Sequence, residues 1–356
     1  MNNDHAYWPV NNGPVNVTVQ GSGGLNMNTS RTVNGIFQTS ANVTGNALTL
    51  NGTIQINTGG GFTSSPFYGP ISTLVYSVNG NYGRGNEWIN TSGAGYPVNV
   101  RLRNNTQLNV ANGTPGTARQ IAGNLTIESG SGFYMDFGGD NMTQPVTVLG
   151  NVFLQGNLSL SQSSGGDLRL GGNWTNDGGN FNGANRAVIF IGAADQTVTR
   201  TAGAESFPVM VVSKPSGNVL LNNDLTITST NLPNTLTFAA GNNAHIITGT
   251  HKVRINSQSA VAIVRNGNGH IDGNLERSIA TGNNNYFYPV GTAGAYAPVS
   301  LDMNGVSNSN GFILARTDDG DEPSIGDATN LDADNSVNRF WTLTNNGVSF
   351  ANYNIE

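Results

Sequence analysis

The sequence predicts an all-β fold, a right-handed parallel β-helix (a solenoid) followed by a small β module. Short runs of alternating apolar and polar residues cover most of the chain, and each has the length and period of a strand. Gly, Asn, Ser and Asp separate these runs, as turns require. No stretch of a dozen residues combines helical apolar spacing with a low glycine content. The right-handed winding follows from the general rule for parallel crossovers.

The dipeptide Gly-Asn recurs at intervals that are typical of solenoid coils. It occurs at Gly123, Gly150 and Gly172, which are 27 and 22 residues apart. One coil cannot bury its apolar face alone, so coils must stack, with their strands about 4.8 Å apart. We expect Gly and Asn at the corners because they tolerate positive φ, and Asn amides in ladders along the stack. A set of β-sandwiches is the rival fold, but dense turn signals continue from about Asn16 to Ala280.

The character of the sequence changes near residue 280. An Asn-rich step followed by aromatic residues, TGNNNYFYPVG, occupies Thr281–Gly291, and strand-like segments such as APVSLDM come next. We therefore predict a parallel β-helix over residues 1–280 and a small β-sandwich-like module over residues 281–356. A solenoid end is an open sheet edge, so this module is expected to cap the stack. The module could be incomplete in this chain.

The balance of charges excludes several classes of partner. Only 10% of the 356 residues are charged, whereas typical soluble domains have about 25%. The chain has 48 Gly and 54 Asn but only two lysines, and its net charge is −6. Nucleic acid and anionic membranes are thus disfavoured as partners, because both bind clustered basic residues. The lack of cysteine excludes disulfides and thiolate sites, and no apolar run of about 20 residues predicts membrane insertion.

An acidic loop near the C-terminus is the best candidate for a metal site. Flexible loops that offer several carboxylate and carbonyl oxygens suit Ca²⁺. The candidate ligands are Asp318, Asp319, Asp321, Asp332 and Asp334. Their spacing does not match an EF-hand loop, so a solvated acidic loop is the simpler interpretation. We expect no cofactor apart from a calcium ion at this loop.

A Gly-rich insertion contains the candidate carbohydrate contacts Tyr82, Trp88 and Tyr96. Aromatic rings on a loop can stack on sugar rings while polar neighbours bind the hydroxyls. The alternative is that these rings fill the solenoid core or cover a coil edge.

Catalysis is not expected from this sequence. Glycoside hydrolysis needs two facing carboxylates. Asp136 with Asp140, and Asp167 with Asp177, could become neighbours in the stack, but no His is close to them in sequence. The ordinary interpretation is that these aspartates form β-turns.

A series of motifs resembles a known type of protein. Leu168–Thr228 contains GGNWTN, VIFIGAADQTVT, FPVMVVSKPSGNVLL and NNDLTIT, and the motifs NLERSI, YFYPVG, YAPVSL and VNRFWTLT follow. With them the chain resembles, from roughly Asn42 to Glu356, the large β-helical surface proteins of Bacteroidetes-type bacteria. That resemblance implies export by the type IX route to the extracellular or outer-membrane surface. The family's signal peptide and sorting domain are missing, so we expect a fragment of a longer protein.

These observations favour a non-catalytic structural or adhesive segment of a bacterial cell-surface protein. Its expected partner is a cell-surface or extracellular polysaccharide or protein. Two alternatives stay open: a β-helix that binds or cleaves carbohydrate, and a self-assembling filament or surface-layer subunit that associates through its solenoid ends.

Overall fold

The prediction of an all-β solenoid is confirmed by a computed structural model, which describes residues 8, 13–27, 29–44, 47–230, 232–308, 310–327 and 335–356. The chain divides into two compact units, Met1–Val188 and Ile189–Glu356, which together contain about 12 solenoid turns and end in antiparallel strands. The described residues include no helix that is long and apolar enough to cross a membrane.

Unit 1 consists of short strands, most of them three to five residues long, and one 3₁₀ turn, η1, at Phe137–Gly139. The strands are β1 Val17–Val19, β2 Leu25–Asn26, β3 Arg31–Val33, β4 Ile36–Thr39, β5 Asn42–Thr44, β6 Leu48–Leu50, β7 Thr53–Asn57, β8 Gly61–Phe62, β9 Phe67–Tyr68, β10 Thr73–Ser77, β11 Gly80–Gly83, β12 Asn99–Leu102, β13 Thr106–Asn109, β14 Arg119–Ile121, β15 Leu125–Ile127, β16 Gly132–Tyr134, β17 Val146–Val148, β18 Val152–Leu154, β19 Asn157–Ser159, β20 Leu168–Leu170, β21 Trp174–Asn176 and β22 Asn180–Asn182.

Most coils of unit 1 contribute three strands, one to each face, and equivalent strands of successive coils pair in parallel. The first face has the order β1-β4-β7-β10-β12-β15-β18-β21. The second has β11-β13-β16-β19-β22, and the third contains β14-β17-β20. Earlier coils form the three-stranded sheets β2-β5-β8 and β3-β6-β9.

The alternating pattern fills the interior because every second side chain of a strand points inward. Seven residues at equivalent positions on the first face are at most 1% exposed: Phe37, Ile54, Leu74, Val100, Leu125, Val152 and Trp174. A column of apolar side chains therefore runs through successive coils, and each fully buried member contributes about 1.5–3 kcal/mol.

The Gly-Asn steps of unit 1 form a hydrogen-bonded asparagine ladder. The Oδ1 atom of Asn99 accepts the main-chain N–H of Asn124 at 2.9 Å. In the same way Asn124 Oδ1 accepts Asn151 N–H at 2.8 Å, and Asn151 Oδ1 accepts Asn173 N–H at 2.7 Å. The strand register places these four residues at equivalent positions of successive coils. The expected ladder therefore exists, and it joins side chain to main chain.

The glycines of these steps serve a purpose that differs from the expected one. None of Gly123, Gly150 and Gly172 has a positive φ. Instead, a Cβ atom added to Gly150 would lie 2.6 Å from Asn124 Oδ1 and 2.6 Å from the Gly123 carbonyl carbon. Glycine is required there because the preceding coil's asparagine occupies the space. Positive φ is found at other corners, for example at Asn104 and Asn105.

The described residues of unit 2 form strands of up to ten residues and a 3₁₀ turn, η2, at Ile325–Asp327. The strands are β23 Ala187–Phe190 (which begins in unit 1), β24 Gln196–Arg200, β25 Glu205–Phe207, β26 Val209–Val212, β27 Val219–Leu221, β28 Leu225–Ile227, β29 Leu236–Phe238, β30 Ile246–Ile255, β31 Ile263–Arg265, β32 Ile271–Ser278, β33 Gly282–Tyr288, β34 Val290–Thr292, β35 Ala295–Tyr296, β36 Val299–Val306, β37 Phe312–Asp319, β38 Arg339–Asn346 and β39 Asn352–Ile355.

The pairing in unit 2 changes from parallel to antiparallel within β32. The strands β24-β27-β30-β32 and β26-β29-β31 are parallel, but Leu275–Ser278 of β32 pairs antiparallel with β37. Antiparallel pairs β37-β38 and β33-β36-β39 follow. The boundary predicted at residue 280 falls two residues after the end of β32, whereas the division into compact units lies between Val188 and Ile189.

Buried basic side chains bind main-chain carbonyl groups in both units. Those below 9% exposure are Arg31, Arg84, Arg119, Lys214 and Arg277. Arg84 donates to the carbonyl oxygens of Val110 and Trp88, both at 2.9 Å. Such charge-assisted bonds are stronger than neutral ones. One third of the chain's 15 basic residues thus stabilise loops from inside and add nothing to the surface charge.

Lys214 shows this arrangement most completely. Its Nζ donates to Gly192 O at 2.6 Å, to Ala194 O at 2.8 Å and to Gln196 Oε1 at 2.7 Å. An ammonium group has three donors, and all three are used. Burial lowers the pKa of Lys214 to about 8, and nearby Asp195 opposes that shift.

We expect Lys214→Met to lower the free energy of unfolding by about 2 kcal/mol, because it removes the ammonium donor from the carbonyl oxygens of Gly192 and Ala194 and from Gln196 Oε1. Chemical unfolding followed by circular dichroism measures the loss. Lys252→Met is the control, since Lys252 is partly exposed and its partner Glu276 keeps Arg254 at 2.5 Å. Equal losses in the two variants would contradict the role assigned to Lys214.

Candidate functional site

Trp88, predicted to contact carbohydrate, lies in the core of unit 1. Its side chain is 0% exposed, and its ring centroid is 6.1 Å from that of Phe133. The indole Nε1 donates to Gln120 O at 2.9 Å, and the Gln120 amide donates to Tyr96 Oη at 2.7 Å. The insertion folds back onto the coils, so Trp88 cannot offer its ring to a sugar. This part of the prediction is wrong, and the alternative of core filling is correct for Trp88.

Tyr82 belongs to a buried polar cluster around Glu87. The Glu87 Oε1 atom accepts the Gly85 N–H at 2.8 Å and the Tyr76 hydroxyl at 3.1 Å, and the Tyr82 ring centroid is 5.4 Å from that of Tyr76. Burial raises the pKa of Glu87, while hydrogen bonds and Arg84 oppose the rise. Glu87 and Tyr76 are 0% exposed and stabilise the insertion from inside, whereas Tyr82 is partly exposed.

The acidic loop engages its carboxylates in local contacts where the structure describes it. Asp318 binds Arg316 at 2.9 Å, Asp319 pairs with Arg339, and Asp321 accepts the Ser336 hydroxyl. The other two candidate ligands, Asp332 and Asp334, lie outside the described residues. The described part of the chain contains no group of three or more His, Asp or Glu residues that could hold a metal ion. Calcium binding stays a prediction.

The aspartate pairs considered for catalysis act as hydrogen-bond acceptors. Asp136 Oδ2 accepts the Ser159 hydroxyl and Asp140 Oδ2 accepts the Asn109 amide, both at 2.9 Å. Asp167 accepts the Ala187 N–H at 2.8 Å and Asp177 the Gln155 amide at 2.9 Å. Asp136 and Asp140 flank η1 and contact strands of the same face, whereas Asp167 precedes β20 on another face. The first pair therefore belongs to one surface.

That surface is the outward side of the five strands β11, β13, β16, β19 and β22. The strand register aligns two outward columns. One contains Asn81, Gln107, Gly132, Asn157 and Asn180, and the other contains Gly83, Asn109, Tyr134, Ser159 and Asn182. We call this surface the Tyr134 face. Its strands contain no charged residue.

The phenol end of Tyr134 lies next to Gly132, which leaves room for it. The two residues are on the same side of β16, and Phe133 between them is 0% exposed. A Cβ atom on Gly132 would lie 2.5 Å from both Cζ and Oη of Tyr134. The phenol therefore occupies the space that a side chain at residue 132 would need, and the ring is partly exposed.

The Tyr134 ring is held by amides on both sides. Its hydroxyl donates to Gln107 Oε1 at 2.9 Å, while Gln107 Nε2 is fixed by the carbonyl oxygens of Asn105 and Gly130. A hydrogen bond with Asn157 supports the hydroxyl from the next coil. Burial raises the pKa of Tyr134, so the phenol stays neutral at physiological pH. The Phe137 ring meets it at 65°, with 5.6 Å between centroids.

The sequence contains a signal for this platform that composition alone does not reveal. In SGFYM the glycine and the tyrosine are two residues apart within one strand, so they share its outward side. The sequence predicts a carbohydrate contact at Trp88 because this large ring lies in a Gly-rich segment. Burial of that ring depends on how the insertion folds back, which neither alternation nor spacing encodes.

No protein-family model, no curated protein and no solved structure matches the chain.

Proposed function

We propose that this chain is a non-catalytic structural and adhesive segment of a bacterial cell-surface protein that acts outside the cell. The asparagine ladder of unit 1 carries the proposal. It places the chain's most distinctive residue types, Asn and Gly, in hydrogen bonds between coils at 2.7–2.9 Å. A stack joined in this way is suited to presenting a fixed surface.

The Tyr134 face supports the adhesive part of the proposal. It offers amide, hydroxyl and aromatic groups in fixed positions, and its five strands have no charge. A neutral surface avoids long-range repulsion from other surfaces, and side chains that are already ordered lose little entropy on binding. The proposed partners are extracellular polysaccharides or proteins.

An adhesion assay tests this function. Beads coated with the folded protein should stay attached, under flow, to a surface covered with extracellular polysaccharide, and beads coated with heat-unfolded protein should wash off. Because both coats have the same sequence, a difference in retention must come from the folded surface and not from the amino-acid composition. Equal retention of the two kinds of bead would overturn the adhesive function.

A further inference from the structure

We propose that the Tyr134 face is a binding site for a neutral polysaccharide, with the Tyr134 ring as the platform on which a sugar ring stacks. This inference rests on the proposed adhesive function and names its ligand class. Sugars present apolar C–H surfaces on their faces and hydroxyl groups at their edges. A protein site for them therefore combines a flat aromatic surface with hydrogen-bonding groups around it.

The Tyr134 ring meets the first requirement. Its phenol end lies against Gly132, and the side chain is partly exposed. The hydroxyl is bound by Gln107 at 2.9 Å and by Asn157, which fixes the ring before any ligand arrives. A platform that is already ordered loses little side-chain entropy on binding. Phe137, tilted by 65°, forms a second apolar wall.

Polar groups on the neighbouring coils meet the second requirement. Ser159 is the register partner of Tyr134 on the next strand, and its hydroxyl donates to Asp136 at 2.9 Å. Asn182 on the following strand donates to Ser159 at 3.3 Å. On the other side, Asn109 donates to Asp140 at 2.9 Å. Asn109 and Ser159 are only 8% and 5% exposed, so these contacts fix the face from below. The groups that a sugar can reach are the exposed amides of Asn180 and Asn182 and the partly exposed amides of Gln107 and Asn157.

The charges on this face select the class of glycan. The five strands have no charged residue, and the adjacent carboxylates belong to Asp136 and Asp140, which are half-buried. Both would repel the carboxylates or sulfates of an acidic polysaccharide, while they can accept hydrogen bonds from the hydroxyl groups of a neutral one. We therefore infer an uncharged polysaccharide as the ligand.

The test is electrophoresis of the whole chain through native gels that contain a neutral polysaccharide (mannan, xylan or a β-glucan) or an acidic one (alginate). The wild type should be retarded by at least one neutral polymer and not by alginate. Tyr134→Ala should weaken that retardation about tenfold. Gly132→Ala keeps the tyrosine but displaces its ring, so it should have a comparable effect. Tyr353→Ala, which removes an exposed tyrosine of unit 2, should bind as the wild type does.

Each other outcome overturns the inference: no retardation of the wild type by a neutral polymer, stronger retardation by alginate, or unchanged binding of Tyr134→Ala. Circular dichroism confirms that the variants are folded, and Tyr134→Phe, which keeps the ring, should bind within about threefold of the wild type. The bead assay separates this inference from the proposed function. Beads that adhere equally well with Tyr134→Ala leave the adhesive function intact and remove the glycan site.

Discussion

Gly150→Ala is expected to lower the free energy of unfolding by about 3 kcal/mol, at the upper end of the cost of overpacking. The new methyl group would lie 2.6 Å from Asn124 Oδ1 and equally close to the main chain of Gly123. Neither can move without breaking a bond, because Asn124 Oδ1 accepts Asn151 N–H and Gly123 O accepts Gly150 N–H at 2.9 Å. Thermal unfolding followed by circular dichroism measures the loss.

Gly23→Ala is the matched control for this substitution. A Cβ atom there would have no heavy atom within 4 Å, and Gly23 has no positive φ. Its effect should stay within about 0.5 kcal/mol. Asn124→Ala removes the side chain that Gly150 accommodates, so adding it to Gly150→Ala should cost less than the sum of the two single substitutions. Strict additivity would show that the asparagine and the glycine do not depend on each other.

Acid is expected to destabilise unit 2 through a stacked histidine pair. Within unit 2 the strand register aligns Asp195, Asn218, His245 and His270 in one column, and Asn218 Oδ1 accepts His245 N–H at 2.9 Å. The next step has no such bond among the described contacts; the two imidazoles stack there with 3.9 Å between centroids.

The protonation state of the pair follows from its contacts. His270 Nε2 lies 3.0 Å from Thr292 O, so it carries the proton, and Nδ1 is buried without a partner. Burial, His245 and Arg265 together lower the pKa of His270 to about 4, against hydrogen bonds that favour the charge. Burial also lowers the pKa of His245. The charge of Asp272 opposes this decrease, and the charge of Arg265 adds to it. The guanidinium carbon of Arg265 lies 3.8 Å from the ring centroid of Tyr296 in β35.

The sign of the pH effect is set by these depressed pKa values. Between pH 6.5 and about 4, His270 is protonated in the unfolded chain but stays neutral in the folded protein. The free energy of unfolding therefore falls as the pH falls through that range. A shift of this size corresponds to about 3 kcal/mol. Burial raises the pKa of Asp272, which acts in the opposite direction at lower pH.

Urea unfolding of the wild type and of His270→Asn at about pH 7 and about pH 4.5 isolates the contribution of the pair. Asparagine already occupies this column at Asn218, and its side chain has no titratable group. The wild type should lose about 2 kcal/mol more than the variant between the two pH values, since the full loss of about 3 kcal/mol is reached only below pH 4. Equal losses would mean that the imidazole stack does not couple folding to pH.

Much of the fold could be predicted from the sequence, because solenoid coils repeat local rules. Alternation in segments such as Val152–Leu154 identifies the strands and their inward side chains, and the Gly-Asn steps indicate the coil spacing. The reason for glycine at Gly150 could not be predicted. Its φ angle and its contact with Asn124 depend on how the coils are aligned, and that alignment is a property of the stack.

The candidate site was harder to predict than the fold. Whether a ring is a platform or part of the core depends on what packs over it, and the sequence around Trp88 resembles an exposed loop. Tyr134 is partly exposed because Phe133 takes the inward position and Gly132 leaves space beside it. Buried cations such as Lys214 were also missed, since their carbonyl partners come from turns with no pattern of their own.

We propose that this chain binds polysaccharide at the Tyr134 face without cleaving it. The most direct measurement is to incubate the purified protein with each polymer that retards it in native gels, and to analyse the solution by mass spectrometry for released oligosaccharides. We predict retardation that depends on Tyr134 and no release above that of the heat-unfolded protein. Release of products by the wild type that is lost in Asp136→Asn or Asp140→Asn would contradict the claim and make the face an active site.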